Sequence, residues 1–211
     1  MKKPEDRELG YKLFMPLFRP IFNLYYKPRI IGAEKLPKEG AIVIAGNHKH
    51  LMDQCLTILA TKRMIHYMAK KEYFDGKLAW FFGAMGCIPV DRANVDIKSV
   101  KSAMKVLRKD GAIGIFPEGT RNRTDALLLE FKPGAATLAK KTDAYIVPFG
   151  LTGEYKFRSK TLTIRYGDPF KADGMTAAEA TEKLYKEVER LILEGLAEEE
   201  KMKSENGVKE K

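Results

Sequence analysis

Short apolar runs alternate with longer segments of helical periodicity along most of the chain. The run at 41–45, Ala-Ile-Val-Ile-Ala, is bounded by turn residues and is typical of a strand buried in a parallel sheet. Strands that alternate with helices indicate an α/β fold, a largely parallel sheet flanked by helices. The further predicted strands are 64–69, 87–90, 112–116, 144–151 and 161–166, and the predicted helices are 52–62, 74–85, 95–109 and 133–141.

At helical spacing, the segment 9–27 has a broad apolar side and a narrow opposite side with basic residues. This pattern predicts an N-terminal amphipathic arm. Pro16 and Pro20 predict two short helical pieces, because an internal proline removes a backbone donor and clashes with the preceding turn. Two interpretations stay open, an arm packed on the core and a helix lying in the plane of a membrane. The stripe has two rows, Leu13, Leu17 and Ile21, and Phe14, Phe18, Phe22 and Tyr25.

The last helix has a clear start signal. Thr176 followed three residues later by Glu179 forms a capping box, in which each side chain bonds the other residue's backbone N–H. The residues beyond 197 are mostly charged, and we expect a flexible tail there. The predicted organisation is therefore a membrane-associating arm at 1–30, an α/β domain at 31–197 and a tail at 198–211.

Composition and charge indicate what kind of molecule the protein binds. The 211 residues are 45% hydrophobic, which is enough for one sizeable core, and the net charge is +10. The excess of basic residues lies within 1–171, whereas 172–211 contain more acidic than basic residues. A basic body indicates an anionic partner, which is a nucleic acid, a phosphorylated metabolite or an anionic membrane surface. Charge alone does not choose among these three.

Cysteine usage and hydropathy exclude several classes of protein. Only Cys55 and Cys87 occur, both in apolar surroundings, so we expect buried thiols, no disulfide framework and a reducing compartment. The charged start at 1–8 does not resemble a secretory signal. No uncharged apolar run approaches the roughly 18 residues of a spanning helix, which argues against a single-pass anchor.

The block 46–53, Gly-Asn-His-Lys-His-Leu-Met-Asp, follows the first predicted strand directly. On one continuous helix His48 and Asp53 would lie about 140° apart, too far round to meet. They meet if His48 lies in the turn and Asp53 in the first helical turn. A carboxylate on one ring nitrogen then leaves the other nitrogen to accept a proton. We do not expect a metal site with His50, because further ligands are not evident in the sequence.

Two more blocks place charged residues after predicted strands. In 116–121, Phe-Pro-Glu-Gly-Thr-Arg, Arg121 can hold a phosphate through its planar guanidinium, and Glu118 can orient it or contact a substrate hydroxyl. In 86–92, Gly-Cys-Ile-Pro-Val-Asp-Arg, the strand delivers Asp91 and Arg92 to a loop. Ligands of α/β folds bind at the carboxyl ends of the strands. Together the three blocks indicate a general base beside a phosphate-bearing substrate.

Four blocks in this order resemble the glycerolipid acyltransferases, in particular the 1-acyl-sn-glycerol-3-phosphate (lysophosphatidic acid) acyltransferases. They are Asn-His-x4-Asp at 47–53, Pro-Val-Asp-Arg at 89–92, Phe-Pro-Glu-Gly-Thr-Arg at 116–121 and an apolar strand containing Val-Pro at 147–148. The matching region covers about half of the chain. The resemblance implies the acyltransferase α/β fold and transfer of a fatty acyl group to the sn-2 hydroxyl of lysophosphatidic acid.

The resemblance also implies roles for individual residues. His48 would be the general base and Asp53 would orient it, without a covalent acyl-enzyme. Pro148 would lie near the acyl donor. The family often has Ser two residues after the catalytic His, where this chain has His50. The acceptor-phosphate pocket would consist of Arg92, Glu118, Gly119 and Arg121.

The implied partners are lysophosphatidic acid, acyl-CoA or acyl-carrier protein as the donor, and an anionic membrane surface. We expect no metal, no further cofactor and no nucleic acid, since aromatic and basic residues do not interleave on one face. The implied location is the cytoplasmic face of the cell membrane, as a peripheral or monotopic protein. Two alternatives stay open, an acyltransferase for glycerol 3-phosphate or another lysolipid, and a non-catalytic lipid-binding protein.

Overall fold

A computed structural model describes the backbone of residues 4–91 and 96–209, and the side chains of 10–91 and 96–205. Two 3₁₀ turns, Ala33–Lys35 and Lys71–Phe74, accompany the longer elements. The strands are β1 Arg29–Ile31, β2 Ile42–Gly46, β3 Ile65–Lys70, β4 Ile88–Val90, β5 Ala112–Ile115, β6 Tyr145–Thr152 and β7 Thr163–Tyr166. The helices are α1 Pro4–Tyr26, α2 Asp53–Leu59, α3 Ala79–Ala84, α4 Ile97–Leu107, α5 Gly134–Thr142 and α6 Ala177–Lys209.

The seven strands form one sheet in the order β1-β7-β6-β2-β5-β3-β4. Every neighbouring pair is parallel except β6 and β7, which are antiparallel. The prediction of a largely parallel sheet flanked by helices is therefore confirmed. β2 lies between β5 and β6, so the loops that follow β2 and β5 leave the same edge of the sheet side by side.

Two apolar layers cover the sheet. On one face, Leu56 of α2 and Phe22 of α1 pack on Ile42 and Ile44 of β2. On the other face, α4, α5 and α6 pack on residues that include Val43. Side chains alternate between the two faces along a strand, and an apolar layer on each face explains why β2 is apolar at every position.

α1 is one continuous helix, so the prediction of two short pieces is wrong. Pro16 and Pro20 both lie inside it. Tyr11, Met15 and Phe22 are each at most 5% exposed, and burial of such side chains contributes roughly 1.5–3 kcal/mol each. This gain is of the same order as the cost of about 3 kcal/mol for an internal proline. Packing on the domain therefore keeps the helix intact.

The two apolar rows of α1 have different environments. Phe14, Phe18 and Phe22 form a ladder of ring contacts at 5.4–5.5 Å against the protein. Leu13 and Leu17 of the other row are 80% and 64% exposed. Each of the two interpretations of the arm thus matches one row. The row of phenylalanines packs on the core. The row of Leu13 and Leu17 is exposed, and its contact with a membrane stays a prediction.

The chain also departs from the prediction at both ends of the domain. β1 is a strand that the sequence analysis did not predict. α6 continues through Lys209, where a flexible tail was expected. Glu198 explains part of this difference, because it forms ion pairs with Arg29 of β1 at 3.1 Å and with Arg165 of β7 at 2.7 Å. The acidic end of the chain thus neutralises two arginines at the edge of the sheet.

Other boundaries agree to within a few residues, although 74–85 is a 3₁₀ turn followed by the short α3. The predicted capping box is present, since Thr176 N–H donates to Glu179 Oε2 at 2.7 Å and Glu179 N–H donates to Thr176 Oγ1 at 3.2 Å. No helix within the described residues has both the length and the apolar composition needed to cross a bilayer.

Candidate active site

The turn after β2 brings His48 and Asp53 together. His48 lies in the six-residue connection beyond β2, and Asp53 is the first residue of α2. His48 Nδ1 is 2.8 Å from Asp53 Oδ2. The ring folds back onto the first helical turn, which is the arrangement that the sequence predicts for this spacing.

Asp53 organises the whole turn. Its Oδ2 also accepts hydrogen bonds from the backbone N–H groups of Lys49 at 2.6 Å and His50 at 2.7 Å. Its Oδ1 accepts a hydrogen bond from the Tyr155 hydroxyl at 2.7 Å. The side chain is fully buried, and a buried carboxylate needs such donors to offset its lost hydration.

These contacts define the state of the imidazole. A carboxylate only accepts hydrogen bonds, so His48 Nδ1 carries the hydrogen and Nε2 is left to accept a proton. The Phe116 ring stacks on the imidazole at 3.9 Å between centroids, with an interplanar angle of 12°. The His48 side chain is 16% exposed, so it remains accessible to a substrate. The arrangement is suited to take a proton from a hydroxyl group.

Glu118 contacts the backbone of the His48 turn. It is buried, and its Oε1 accepts a hydrogen bond from His48 N–H at 2.6 Å while Oε2 accepts one from Leu129 N–H at 3.0 Å. Burial raises the pKa of Glu118, and these two backbone bonds oppose the rise. Each oxygen of Glu118 thus accepts a backbone hydrogen bond that holds the His48 turn, and its place in an acceptor-phosphate pocket stays a prediction.

The loop after β5 runs directly beside His48. Asn122 N–H donates to the His48 carbonyl at 2.7 Å, so Arg121 lies next in sequence to a residue bonded to the turn. Gly119 has φ of +70°, which favours glycine, and a Cβ there would lie 3.0 Å from Lys132 Nζ. The predicted Gly119 and Arg121 thus belong to the loop that is bonded to the His48 turn, and Lys132, a cation that the sequence analysis did not single out, lies against Gly119.

Of the other two predicted residues, one is not described by the structure and the other lies away from this cluster. Arg92 lies outside the described residues. Pro148 is buried in β6 and points to the face covered by α6, since a Cβ on Gly167 would lie 2.9 Å from the Pro148 ring and close to Leu191. Its expected position near the acyl donor stays a prediction.

The structure adds two positioning residues. The side-chain amide of Asn47 bonds both backbone groups of Leu151, at 2.7 Å and 3.0 Å, and extends the β2–β6 pairing by one step. Tyr155 is 102 residues from Asp53, and its ring also stacks on His50 at 4.2 Å. Asn47 is the first residue of the Asn-His-x4-Asp block at 47–53, whereas no pattern in the sequence singles out Tyr155.

The two cysteines are poorly suited to form an acyl-enzyme. Both are partly buried, and burial raises the pKa of Cys55 and of Cys87 to about 12. The thiolate is the nucleophilic form, and each thiol is protonated near neutral pH. Within the described ranges, His, Cys, Asp and Glu side chains form no group of three that could hold a metal ion.

Curated relatives carry one recurring name. A 1-acyl-sn-glycerol-3-phosphate acyltransferase of Bacillus subtilis is 33% identical over 165 residues, which is 75% of this chain and 81% of the relative. A protein of the same name from Borreliella burgdorferi is 32% identical over 141 residues, which is 65% of this chain and 56% of the relative.

A solved structure shares the fold. It is the 1-acyl-sn-glycerophosphate (LPA) acyltransferase PlsC from Thermotoga maritima, with a TM-score of 0.68 and 23% sequence identity. The superposition covers 90% of this chain and 78% of the other chain. The mostly parallel sheet described above is thus the fold of a known acyltransferase.

The family model Acyltransferase matches residues 27–152. This range is more than half of the chain and includes β2, β5 and β6 with the loops that hold His48, Asp53 and Arg121. Together with the relative from Bacillus subtilis, the match shows that this chain is an enzyme of the acyltransferase family.

Proposed function

We propose that the enzyme transfers a fatty acyl group from acyl-CoA or acyl-carrier protein to the sn-2 hydroxyl of 1-acyl-glycerol 3-phosphate, which yields phosphatidic acid. The observation that carries the proposal is the His48–Asp53 pair, with Nε2 available as a base and the cationic loop of Arg121 beside it. The names of the relatives support the acceptor.

The proposed chemistry is direct transfer. His48 Nε2 takes the hydroxyl proton while the hydroxyl oxygen attacks the thioester carbonyl. The tetrahedral intermediate then expels the thiol sulfur, and the imidazolium returns the proton to that sulfur. Asp53 stabilises the imidazolium between the two steps. The reaction needs no metal and no cofactor besides the acyl donor.

The acceptor phosphate has a natural place beside this pair. Arg121 can hold a phosphate by two parallel hydrogen bonds, and Lys132 adds positive charge against Gly119. A fixed phosphate holds the sn-2 hydroxyl against Nε2, and such positioning is a large part of rate enhancement in bimolecular reactions. Glu118 contributes through the backbone of His48 without touching the substrate.

α1 is the proposed membrane contact. Leu13, Leu17, Ile21 and Leu24 are 58–80% exposed along one side of the helix, while its other side is packed on the protein. An amphipathic helix with such a row lies in the membrane plane and sinks its apolar side chains into the acyl boundary. Because the acceptor and the product are lipids, we place the enzyme at the cytoplasmic face of the membrane.

Other acceptors fit the same pair. Glycerol 3-phosphate or another phosphate-bearing lysolipid also offers a hydroxyl and an anionic group. A lipid-binding protein without catalysis would have no use for a histidine fixed by a buried carboxylate. The acceptor is therefore the open part of the proposal, and a comparison of acceptors tests it directly.

The purified enzyme, incubated with labelled acyl-CoA or acyl-carrier protein and a panel of acceptors in vesicles, should give labelled phosphatidic acid from lysophosphatidic acid. His48→Ala should lower kcat by about 10³-fold or more, because it removes the base, and Asp53→Asn should have a similar effect. Circular dichroism should show both variants folded. Near-normal turnover by His48→Ala would refute the mechanism.

Arg121→Ala should raise the KM for lysophosphatidic acid by about 10- to 100-fold, since a charged hydrogen bond contributes roughly 1.5–3 kcal/mol. The kcat should change much less. Arg121→Lys should recover only part of the affinity, because an ammonium group cannot bond two phosphate oxygens in the same planar geometry. An unchanged acceptor KM in Arg121→Ala would remove Arg121 from the phosphate site.

Tyr155→Phe should lower kcat by about tenfold with little change in either KM, because it deletes one hydrogen bond to Asp53 and keeps the ring. Burial and the charge of Asp53 raise the pKa of Tyr155, so the phenol stays protonated and donates. The matched control is Tyr145→Phe. Tyr145 is the first residue of β6, at the end of the strand away from Tyr155, and it is 41% exposed. NMR of the His48 Nδ1 proton should change only in Tyr155→Phe. Equal kcat in the two variants would contradict this role.

The double variant Leu17→Ser, Ile21→Ser should weaken flotation with anionic liposomes by more than tenfold while the fold is kept, since both side chains are exposed. The control Leu193→Ser, Leu196→Ser removes two exposed leucines from α6 and should float like the wild type. If both double variants float equally well, α1 is not the membrane contact.

A further inference from the structure

His50 is the residue of the His48 turn whose side chain the proposed chemistry does not use. It lies two residues after His48 and is exposed. Its backbone N–H belongs to the set that bonds Asp53, at 2.7 Å from Oδ2. This chain has an imidazole at 50, where the family often has Ser. The contacts of that ring are therefore a feature of this chain.

The His50 ring lies on one face of the Tyr155 ring. The two centroids are 4.2 Å apart and the planes are inclined by 23°, which is a stacked arrangement. Tyr26 contacts the same tyrosine edge-on, at 5.6 Å and 83°. Aromatic pairs in these geometries contribute stabilisation beyond their apolar burial. Two neighbours of different geometry thus restrict how the Tyr155 ring can tilt.

The His50 ring is itself held in place by the turn. His50 Nδ1 is 3.2 Å from the backbone nitrogen of Met52, whose N–H donates to it. A ring nitrogen that accepts a hydrogen bond belongs to the neutral imidazole with its hydrogen on Nε2. Met52 immediately precedes α2, where backbone N–H groups have no partner within the helix. The ring is therefore fixed from the same turn that carries Asp53.

The Tyr155 hydroxyl connects this stack to the carboxylate. It donates to Asp53 Oδ1 at 2.7 Å, whereas the bonds from His48 and from the backbone of the turn reach Oδ2. A hydrogen bond weakens steeply when its angle departs from linearity, so the tilt of the tyrosine ring sets the strength of this bond. A side chain that fixes the ring therefore acts on Asp53, and through Asp53 on His48.

We infer that His50 is a positioning residue for the acyl transfer, because its neutral imidazole stacks on Tyr155 and keeps the phenol hydroxyl aligned with Asp53. The inference rests on the proposed function and adds a residue to its machinery. His50 acts on the base through Tyr155 and Asp53, so its loss should change kcat and leave the binding of both substrates nearly unchanged.

Two variants separate the ring from its ring nitrogen. His50→Asn keeps an acceptor for Met52 N–H, since the amide oxygen takes the place of Nδ1, but removes the stacked ring. It should lower kcat by about 3- to 10-fold with both KM values within about twofold. His50→Phe keeps the ring and should keep kcat within about twofold of the wild type. Wild-type kcat in His50→Asn would overturn the inference, as would an equal fall in His50→Phe.

A double-mutant cycle tests whether His50 acts through the Tyr155 hydroxyl. Once that hydroxyl is removed, the stack has no hydrogen bond left to align. His50→Asn added to Tyr155→Phe should therefore lower kcat by less than a further twofold or so. If the two effects multiply in full, His50 supports the fold independently of Tyr155, and the positioning role is refuted.

NMR of the His48 Nδ1 proton gives a readout without turnover. The signal should shift in His50→Asn and stay at its wild-type position in His50→Phe. The matched control is Tyr73→Asn, which removes a 45% exposed ring that stacks on Phe82, and it should leave the signal and kcat unchanged. An unshifted signal in His50→Asn would contradict the inference. Absence of transfer by the wild type would refute the proposed function, whereas the NMR comparison would still decide whether His50 positions His48.

Discussion

The site depends on one buried carboxylate. Asp53 has no exposed surface, and its two oxygens accept four hydrogen bonds, from His48 Nδ1, two backbone amides of the turn and the Tyr155 hydroxyl. An uncompensated buried charge costs several kcal/mol, and these four donors share the task of offsetting that cost for Asp53. The same bonds fix the imidazole tautomer. Folding of the turn and preparation of the base are therefore one event.

Asp53 also connects distant parts of the chain. Tyr155 comes from the loop between β6 and β7, and its ring contacts Tyr26 at the end of α1 at 5.6 Å. Tyr25 in turn contacts Phe157 of that loop at 5.1 Å. The end of α1 and the carboxylate that orients His48 are thus joined through one aromatic cluster, which fixes α1 relative to the site.

Sequence reasoning succeeded where the signal is local. The buried strands, the capping box of Thr176 and the meeting of His48 with Asp53 all follow from spacing over a few residues. It failed where distant packing decides, as for the helix through Pro16. Tyr155 was missed because its partner is 102 residues away, and the bond of Glu118 to the His48 backbone was missed because a pattern does not show which N–H groups a carboxylate will meet.

Glu118 indicates that the site is maintained at a cost in stability. Burial raises its pKa in the folded protein above the unfolded value, so any stability linked to its protonation is present at low pH and is lost as the pH rises through the folded pKa. Above its folded pKa the ionised Glu118 therefore opposes folding. A buried apolar residue would avoid this cost but would leave the N–H groups of His48 and Leu129 without acceptors. The carboxylate is explained by the need to hold the His48 turn against the loop that carries Arg121.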